Sequence, residues 1–387
     1  MFLINRKALA AIGITAAAVA TTALFASPAQ AAAAGSAKVV GSNGVQFNAA
    51  AGQANALTIT ISGRTVTLAD RVALKPGKGC KKVTNTKVKC TTSKKTTKLN
   101  VSLGDKNDTL TNKTGVYLLA NGGTGNDTMK GGSGADQLQG AAGNDKLYGY
   151  AGNDALFGQD GNDYVYGGVG NDSIDAGNGN DRVLGEAGND TILGQAGNDS
   201  LDAGIGNDRV SGGRGNDIIF GQAGNDQIVA DNGADTINAG DGSDIVAGGA
   251  DSDRIIGGNG NDQLVGDNGD GSASGNDTIT AGAGNDVVVG EAGDDRITGD
   301  SEDDVLVGET VSDDEILIGS DTARDALDGG TETVRDVCGV MAGGTATNCE
   351  FVERGGASAL AARSAKATAG TKAAAEAMKR VQALTIK

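Results

Sequence analysis

Between Gly122 and Val265 the chain sets one aliphatic side chain in every nine residues and surrounds it with glycine and polar positions. The run opens GGTGNDTMK GGSGADQLQ GAAGNDKLY GYAGNDALF and keeps that beat for sixteen consecutive units. With Gly122 as the first place, the eighth place is aliphatic in all sixteen, from Met129, Leu138 and Leu147 to Leu264. The sixth place is Asp in all sixteen, and the fourth is Gly in fifteen, the exception being Asp251. Such a period fixes the architecture before any local helix or strand reading. Each unit reads as a six-residue loop followed by a three-residue strand, in which one side chain faces inward and its two neighbours face out. Glycines at the first, second and fourth places permit positive φ, and the Asn that fills the fifth place in twelve units tolerates the left-handed region better than most residues. Two units then make one coil of eighteen residues, and successive coils stack as parallel strands about 4.8 Å apart. The predicted fold is all-β, a parallel solenoid of nonapeptide repeats.

The pattern changes on both sides of this run. Residues 1–31 read as a secretory signal peptide: Arg6 and Lys7, an apolar stretch from Ala8 to Ala26, Pro28, and a small-x-small site at Ala29-Gln30-Ala31. The competing reading is a membrane anchor; cleavage leaves no membrane span and an exported chain. Residues 32–102 show short alternating segments (Leu57, Ile59 and Ile61, a turn at Ser62-Gly63, then Val66 and Leu68), which predict a small antiparallel β module. A degenerate unit, LGDKNDTLT, follows at 103–111 with Asp108 in the Asp place, and the repeat region as a whole is expected to span 103–332. An insertion at 266–271 interrupts the beat and threatens the register. The units SASGNDTIT, AGAGNDVVV, GEAGDDRIT and GDSEDDVLV then resume it before the spacing drifts from Gly308 to Glu332. Residues 333–354 are expected to form a cap looped by Cys338 and Cys349, and the Ala-rich, basic stretch 355–387 a tail.

Composition narrows the chemistry. The 387 residues contain no His, which excludes His-based zinc sites and Ser-His-Asp or Cys-His catalysis. Net charge is −17 but segregated: residues 32–102 carry twelve Lys or Arg against a single acid, Asp70, whereas 103–350 carry about −35. That block is no nucleic-acid surface, and without neutralisation it should repel itself into an open chain. In an exported chain, Cys80 and Cys90 are expected to pair around a Lys-rich loop, and Cys338 with Cys349, leaving two local disulfides.

The charge sits where the repeat puts it. Stacking places Asp127 next to Asp145, and Asp136 next to Asp154, in two columns of carboxylates. The columns comprise Asp127, Asp136, Asp145, Asp154, Asp163, Asp172, Asp181, Asp190, Asp199, Asp208, Asp217, Asp226, Asp235, Asp244, Asp253 and Asp262, then Asp277, Asp286, Asp295 and Asp304 after the insertion. Like charges at that spacing require a hard cation with oxygen ligands, and Ca²⁺ suits stacked Asp side chains plus loop carbonyls better than Mg²⁺ does. One inward aliphatic per nine residues stabilises a unit by only ~1.5–3 kcal/mol, against ~1–2 kcal/mol of backbone entropy for each residue ordered. The metal-free repeat is therefore expected to be unfolded.

The run resembles the RTX, or haemolysin-type, calcium-binding repeat, GGxGxDxUx. The resemblance implies a right-handed parallel β-roll with many Ca²⁺ ions held by the sixth-place Asp residues and loop carbonyls. It supplies no activity: in the toxins, lipases and proteases that carry such repeats the chemistry lies in another domain, and here there is no HExxH. The expectation is a non-enzymatic, exported calcium-binding structural or surface-interaction protein. An adhesin or carbohydrate-binding module that meets surface glycans through the outward Tyr148, Tyr164 and Tyr166 is the alternative, and a hydrolase sited in the N-terminal module a third.

Overall fold

The computed structural model describes residues 34–267, 275–302 and 304–308, and the backbone of 326–328, 337–340, 345–347 and 351–354. The expected signal peptide, most of the 266–271 insertion, the Cys338–Cys349 pairing and the 355–387 tail lie outside the described residues. The chain divides at 202/203 into two compact units.

In the first unit the chain opens with strands β1 (Gly35–Val40), β2 (Gly44–Asn48), β3 (Ala56–Ser62), β4 (Thr65–Ala69), β5 (Leu74–Pro76), β6 (Cys80–Thr84) and β7 (Lys87–Thr91). The pairs β1–β2, β3–β4, β4–β7 and β6–β7 are antiparallel, as the alternating pattern predicts, and Cys80 is disulfide-bonded to Cys90 across β6 and β7. The module also begins the solenoid. Strands β8 (Lys98–Asp105) and β9 (Thr109–Asn112) stack in parallel on β2 and β3, with Val45 opposite Leu99 and Leu57 opposite Leu110. The boundary expected at 102/103 falls inside β8. β10 (Tyr117–Thr124) and β11 (Thr128–Gly132) follow on β8 and β9, and from there two sheets grow alternately. Partners are eighteen residues apart, Leu138 against Leu156 in one sheet and Leu147 against Val165 in the other.

The second unit has the same construction. Val210 pairs with Ile228 and then Val246 in one sheet, and Ile219 with Ile237 and then Ile255 in the other. At the insertion the step lengthens to 24 residues, Ile255 to Ile279 and Leu264 to Val288, and then returns to eighteen. The insertion is thus absorbed between strands without loss of register. Backbone strands Ala326–Asp328 and Val337–Val340 continue the parallel pairing.

The division of the unit differs from the sequence reading. Strands run six residues, as in Lys146–Ala151, and cover places seven to nine plus the first three of the next unit, leaving three residues for the turn. Two places face inward rather than one: the eighth, such as Leu147 at 0 % exposure, and the first, such as the buried Gly149 or Ala176. Glycine-rich and polar first, second and third places carry no strand propensity. They extend the strand because the parallel neighbour offers hydrogen bonds to any backbone. The aliphatic core is correspondingly thin, one column of Leu, Ile or Val per sheet with small residues beside it.

Candidate metal centre

Each three-residue turn ends on the sixth-place Asp and turns its side chain inward. All twenty Asp residues expected as ligands are buried, none more than 3 % exposed. Alternate turns give alternate columns. In the first unit Asp127, Asp145, Asp163, Asp181 and Asp199 form one, and Asp136, Asp154, Asp172 and Asp190 the other. In the second, Asp208, Asp226, Asp244, Asp262, Asp286 and Asp304 form one, and Asp217, Asp235, Asp253, Asp277 and Asp295 the other.

Within a column the carboxylate is divided between two roles. Along a column the backbone N–H of one Asp donates to Oδ1 of the Asp one coil on, at 2.7 Å from Asp127 to Asp145 and 2.6 Å from Asp136 to Asp154. The same bond survives the 24-residue step, at 2.8 Å both from Asp253 to Asp277 and from Asp262 to Asp286. Oδ1 therefore holds the coils together. Oδ2 of Asp127, Asp136, Asp145, Asp154, Asp226, Asp244, Asp253 and Asp262 is buried without a hydrogen-bond partner. One carboxylate oxygen thus belongs to the stack, which the sequence reading did not resolve.

The orphaned oxygens share their surroundings with main-chain carbonyls. A Cβ at the first-place Gly131 would lie 2.6 Å from Asp136 Oδ2 and 3.0 Å from the carbonyl oxygen of Gly149, one coil on. Glycine at this place keeps the space beside the carboxylate open. Among the described residues no three acidic, Cys or His side chains gather at a point. A cation here would take a carboxylate oxygen and complete its shell from loop carbonyls, the all-oxygen, flexible set that suits calcium.

Electrostatics give the same answer. Burial pushes the carboxyls of Asp136, Asp145 and Asp172 up to about 7, with stacked Asp neighbours adding to the shift. Asp253 goes furthest, to about 9, through burial and then the charges of Asp277, Asp235 and Asp267. A cation inverts this penalty, because the charged form then has a counter-charge at contact.

Sequence reasoning missed two buried oxygen-bearing residues, Asn55 and Asp267, and left Asp108 in a degenerate unit. Asn55 and Asp108 extend one column backward: Asn55 N–H donates to Asp108 Oδ1, and Asp108 N–H to Asp127 Oδ1 at 2.7 Å. Asp108, in the Asp place of the degenerate unit 103–111, is a working member of the stack through its bond to Asp127. Asp267, beside the insertion, accepts from the N–H groups of Gly275 at 3.1 Å and Ala292 at 3.2 Å and ties the lengthened step back to the coils. Asp267→Ala is expected to leave both donors unsatisfied and destabilise this unit by about 1–3 kcal/mol. Faster amide exchange at 275–292 would register the loss.

The family model for the RTX calcium-binding nonapeptide repeat matches residues 121–156, 140–174, 148–183, 175–210, 202–237, 238–273 and 271–306. Among curated proteins none matches the chain. The two last matches meet at the insertion, where the structure keeps its register. With the β-roll, the Asp columns and their oxygen-lined spaces in view, residues 121–306 belong to the RTX calcium-binding nonapeptide repeat, which binds several Ca²⁺ ions per repeat region.

Proposed function

We propose that the chain is exported and that its roll folds when it meets millimolar calcium outside the cell, serving there as a structural or surface-interaction module. The observation that carries this reading is the buried, unpartnered Oδ2 of Asp127, Asp136, Asp145 and Asp154, and again of Asp226, Asp244, Asp253 and Asp262, a construction that neutral pH and low calcium cannot sustain. In this reading Asp127 to Asp304 at the sixth places supply the carboxylate ligands, and first-place glycines such as Gly131 leave room for the ion. Calcium modules of extracellular type work at about 10⁻⁴–10⁻³ M, so the same chain stays open at cytosolic calcium. Limited proteolysis tests this: the 121–306 region should resist trypsin at 2 mM calcium and be cut throughout at 1 µM. Cutting that is equal at both concentrations would remove the basis for calcium-driven folding. Mature protein in the medium that begins at Ala32 would support export, and retention of residues 1–31 would oppose it.

A second reading draws on one outward patch. The ring of Tyr148 lies 6.0 Å from Tyr150, 5.9 Å from Tyr164 and 6.2 Å from Tyr166, with the Lys130 ammonium 5.6 Å over it. Four clustered tyrosines, Tyr150 among them 42 % exposed, offer ring faces to a pyranose on a surface glycan. The double variant Tyr148→Ala/Tyr150→Ala should lose binding on a glycan array while its calcium midpoint stays within twofold. Unchanged array binding would leave the tyrosines as a cross-strand ladder only.

A further inference from the structure

We propose that Asn55, Asp70 and Asp108 form a calcium site at the start of the roll, where one column is extended backward, additional to the twenty sixth-place Asp residues from Asp127 to Asp304. The inference rests on the calcium reading above but on different residues. Three buried side-chain oxygens in this region have no hydrogen-bond partner: Asn55 Oδ1, Asp70 Oδ2 and Asp108 Oδ2. The residues that carry them are 0 %, 8 % and 2 % exposed. Uncompensated, such groups would be among the most costly in the module.

The backbone seats both carboxylates on the Asn55 segment. Asn55 N–H donates to Asp108 Oδ1, and the N–H of the next residue, Ala56, donates to Asp70 Oδ1 at 2.6 Å. Two carboxylates from distant parts of the chain are thereby seated on consecutive peptide groups. Each spends Oδ1 on that seat and leaves Oδ2, the same division seen at Asp127, Asp136, Asp145 and Asp154. The Asn55 amide nitrogen faces the carbonyl of Gln53 and Asp108 Oδ1, both at 3.2 Å, which leaves its Oδ1 as a third acceptor. Arg71 is the cation next to Asp70; its Nε donates to the carbonyl of Ala54, and one guanidinium cannot neutralise two carboxylates.

The donors are oxygens only, from two carboxylates and an amide. Zinc and other soft-ligand metals are poorly served, because the chain has no His and the module's Cys80 and Cys90 are in a disulfide. Calcium, with its tolerance for irregular oxygen shells completed by carbonyls or water, fits. The site also explains the lone acid. Asp70 is the single carboxylate among twelve basic residues from 32 to 102, and it stands at the end of β4, where it meets the first coil. A calcium ion there ties the β3–β4 hairpin to β8 and β9 and closes the open end of one column. The folding of the basic module then depends on calcium as that of the repeats does.

Crystals of the full chain grown with calcium, measured at a wavelength where calcium scatters anomalously, test the site directly. A peak bounded by Asn55 Oδ1, Asp70 Oδ2 and Asp108 Oδ2 is expected, besides peaks along the repeats. Repeat peaks with none at this position would overturn this proposal and leave the calcium reading of the repeats standing; absence of all peaks would overturn both. The variant Asp70→Asn supplies a solution measurement, since Asn retains an Oδ1 acceptor for Ala56 but loses the charge. In hydrogen exchange of the full chain, calcium-dependent protection of 54–72 should shift to at least tenfold higher calcium in the variant, with 140–200 unchanged. An unshifted 54–72 midpoint would overturn the proposal.

Discussion

Stripped of divalent ions at pH 8, the chain is expected to lose most of its β structure, and acidification of the metal-free chain toward pH 4 is expected to restore part of it. The sign follows from the buried carboxyls. In the metal-free fold Asp127 and Asp154 are raised to about 6, and Asp136 and Asp145 to about 7, by burial above all, from an ordinary value of 3.8. A carboxyl raised in the folded state holds a proton that the open chain has released. Its contribution to stability is complete below about 3.8 and is lost as pH rises through 6 to 7. Neutral pH without calcium is therefore the least favourable condition for the roll, and protons partly replace the missing cations. With calcium present the dependence reverses, because protons now compete with the metal for Oδ2, and the calcium midpoint should move to higher concentration as pH falls from 8 to 6. Ellipticity near 218 nm, followed against pH in resin-stripped buffer and again in 2 mM calcium, reads both branches. A metal-free chain that gains structure as pH rises would contradict the account.

The second large effect concerns the space between coils. Gly152, at a fourth place, has φ +128°, and a Cβ built on it would lie 2.7 Å from both the carbonyl carbon and the oxygen of Gly134 in the preceding coil. Gly152→Val combines a left-handed conformation that β-branched residues avoid with a contact that backbone atoms cannot relieve. The conformational part costs about 1–3 kcal/mol, and the overpacked contact a further ~1–3 kcal/mol. The coils on either side must part, which also stretches the bond from Asp136 N–H to Asp154 Oδ1. The calcium-loaded variant should melt roughly 4–24 °C lower, at ~2–4 °C per kcal/mol for a unit of this size. Lys146→Ala, at an exposed seventh place of the adjoining strand, should stay within about 0.5 kcal/mol of the parent. Equal melting of the two variants would mean that coil spacing does not limit stability.

These effects trace to positions that differ in how far the sequence discloses them. The sixth and eighth places were legible because each admits a single chemistry, carboxylate or aliphatic, for sixteen units in succession. The inward first place was not, since Gly and Ala there suggest flexibility until a neighbouring carboxylate shows why a larger side chain cannot enter. Six-residue strands were likewise hidden, because Tyr150 and Gln159 sit at second places with φ of 76° and 80°, a conformation that no propensity assigns to a strand. The insertion obscured the register in sequence, yet the inter-coil hydrogen bonds from Asp253 to Asp277 and from Asp262 to Asp286 carry the columns across it. The pairing of Asn55 and Asp70 with Asp108 is hidden in the sequence for a different reason. The excursion through β4 to β7 separates Asn55 from Asp108 by 53 residues, so no nonapeptide beat links them. The only trace was the oddity of one acid in a basic module.

Far-UV circular dichroism of the full chain during a calcium titration at pH 7.5, with bound calcium counted by equilibrium dialysis on the same samples, tests the central claim most directly. The account predicts a coil-like spectrum in EGTA and a cooperative rise of β signal between about 10⁻⁴ and 10⁻³ M, in step with the uptake of several ions per chain. A chain already fully β in EGTA, or one that folds without taking up calcium, would contradict it.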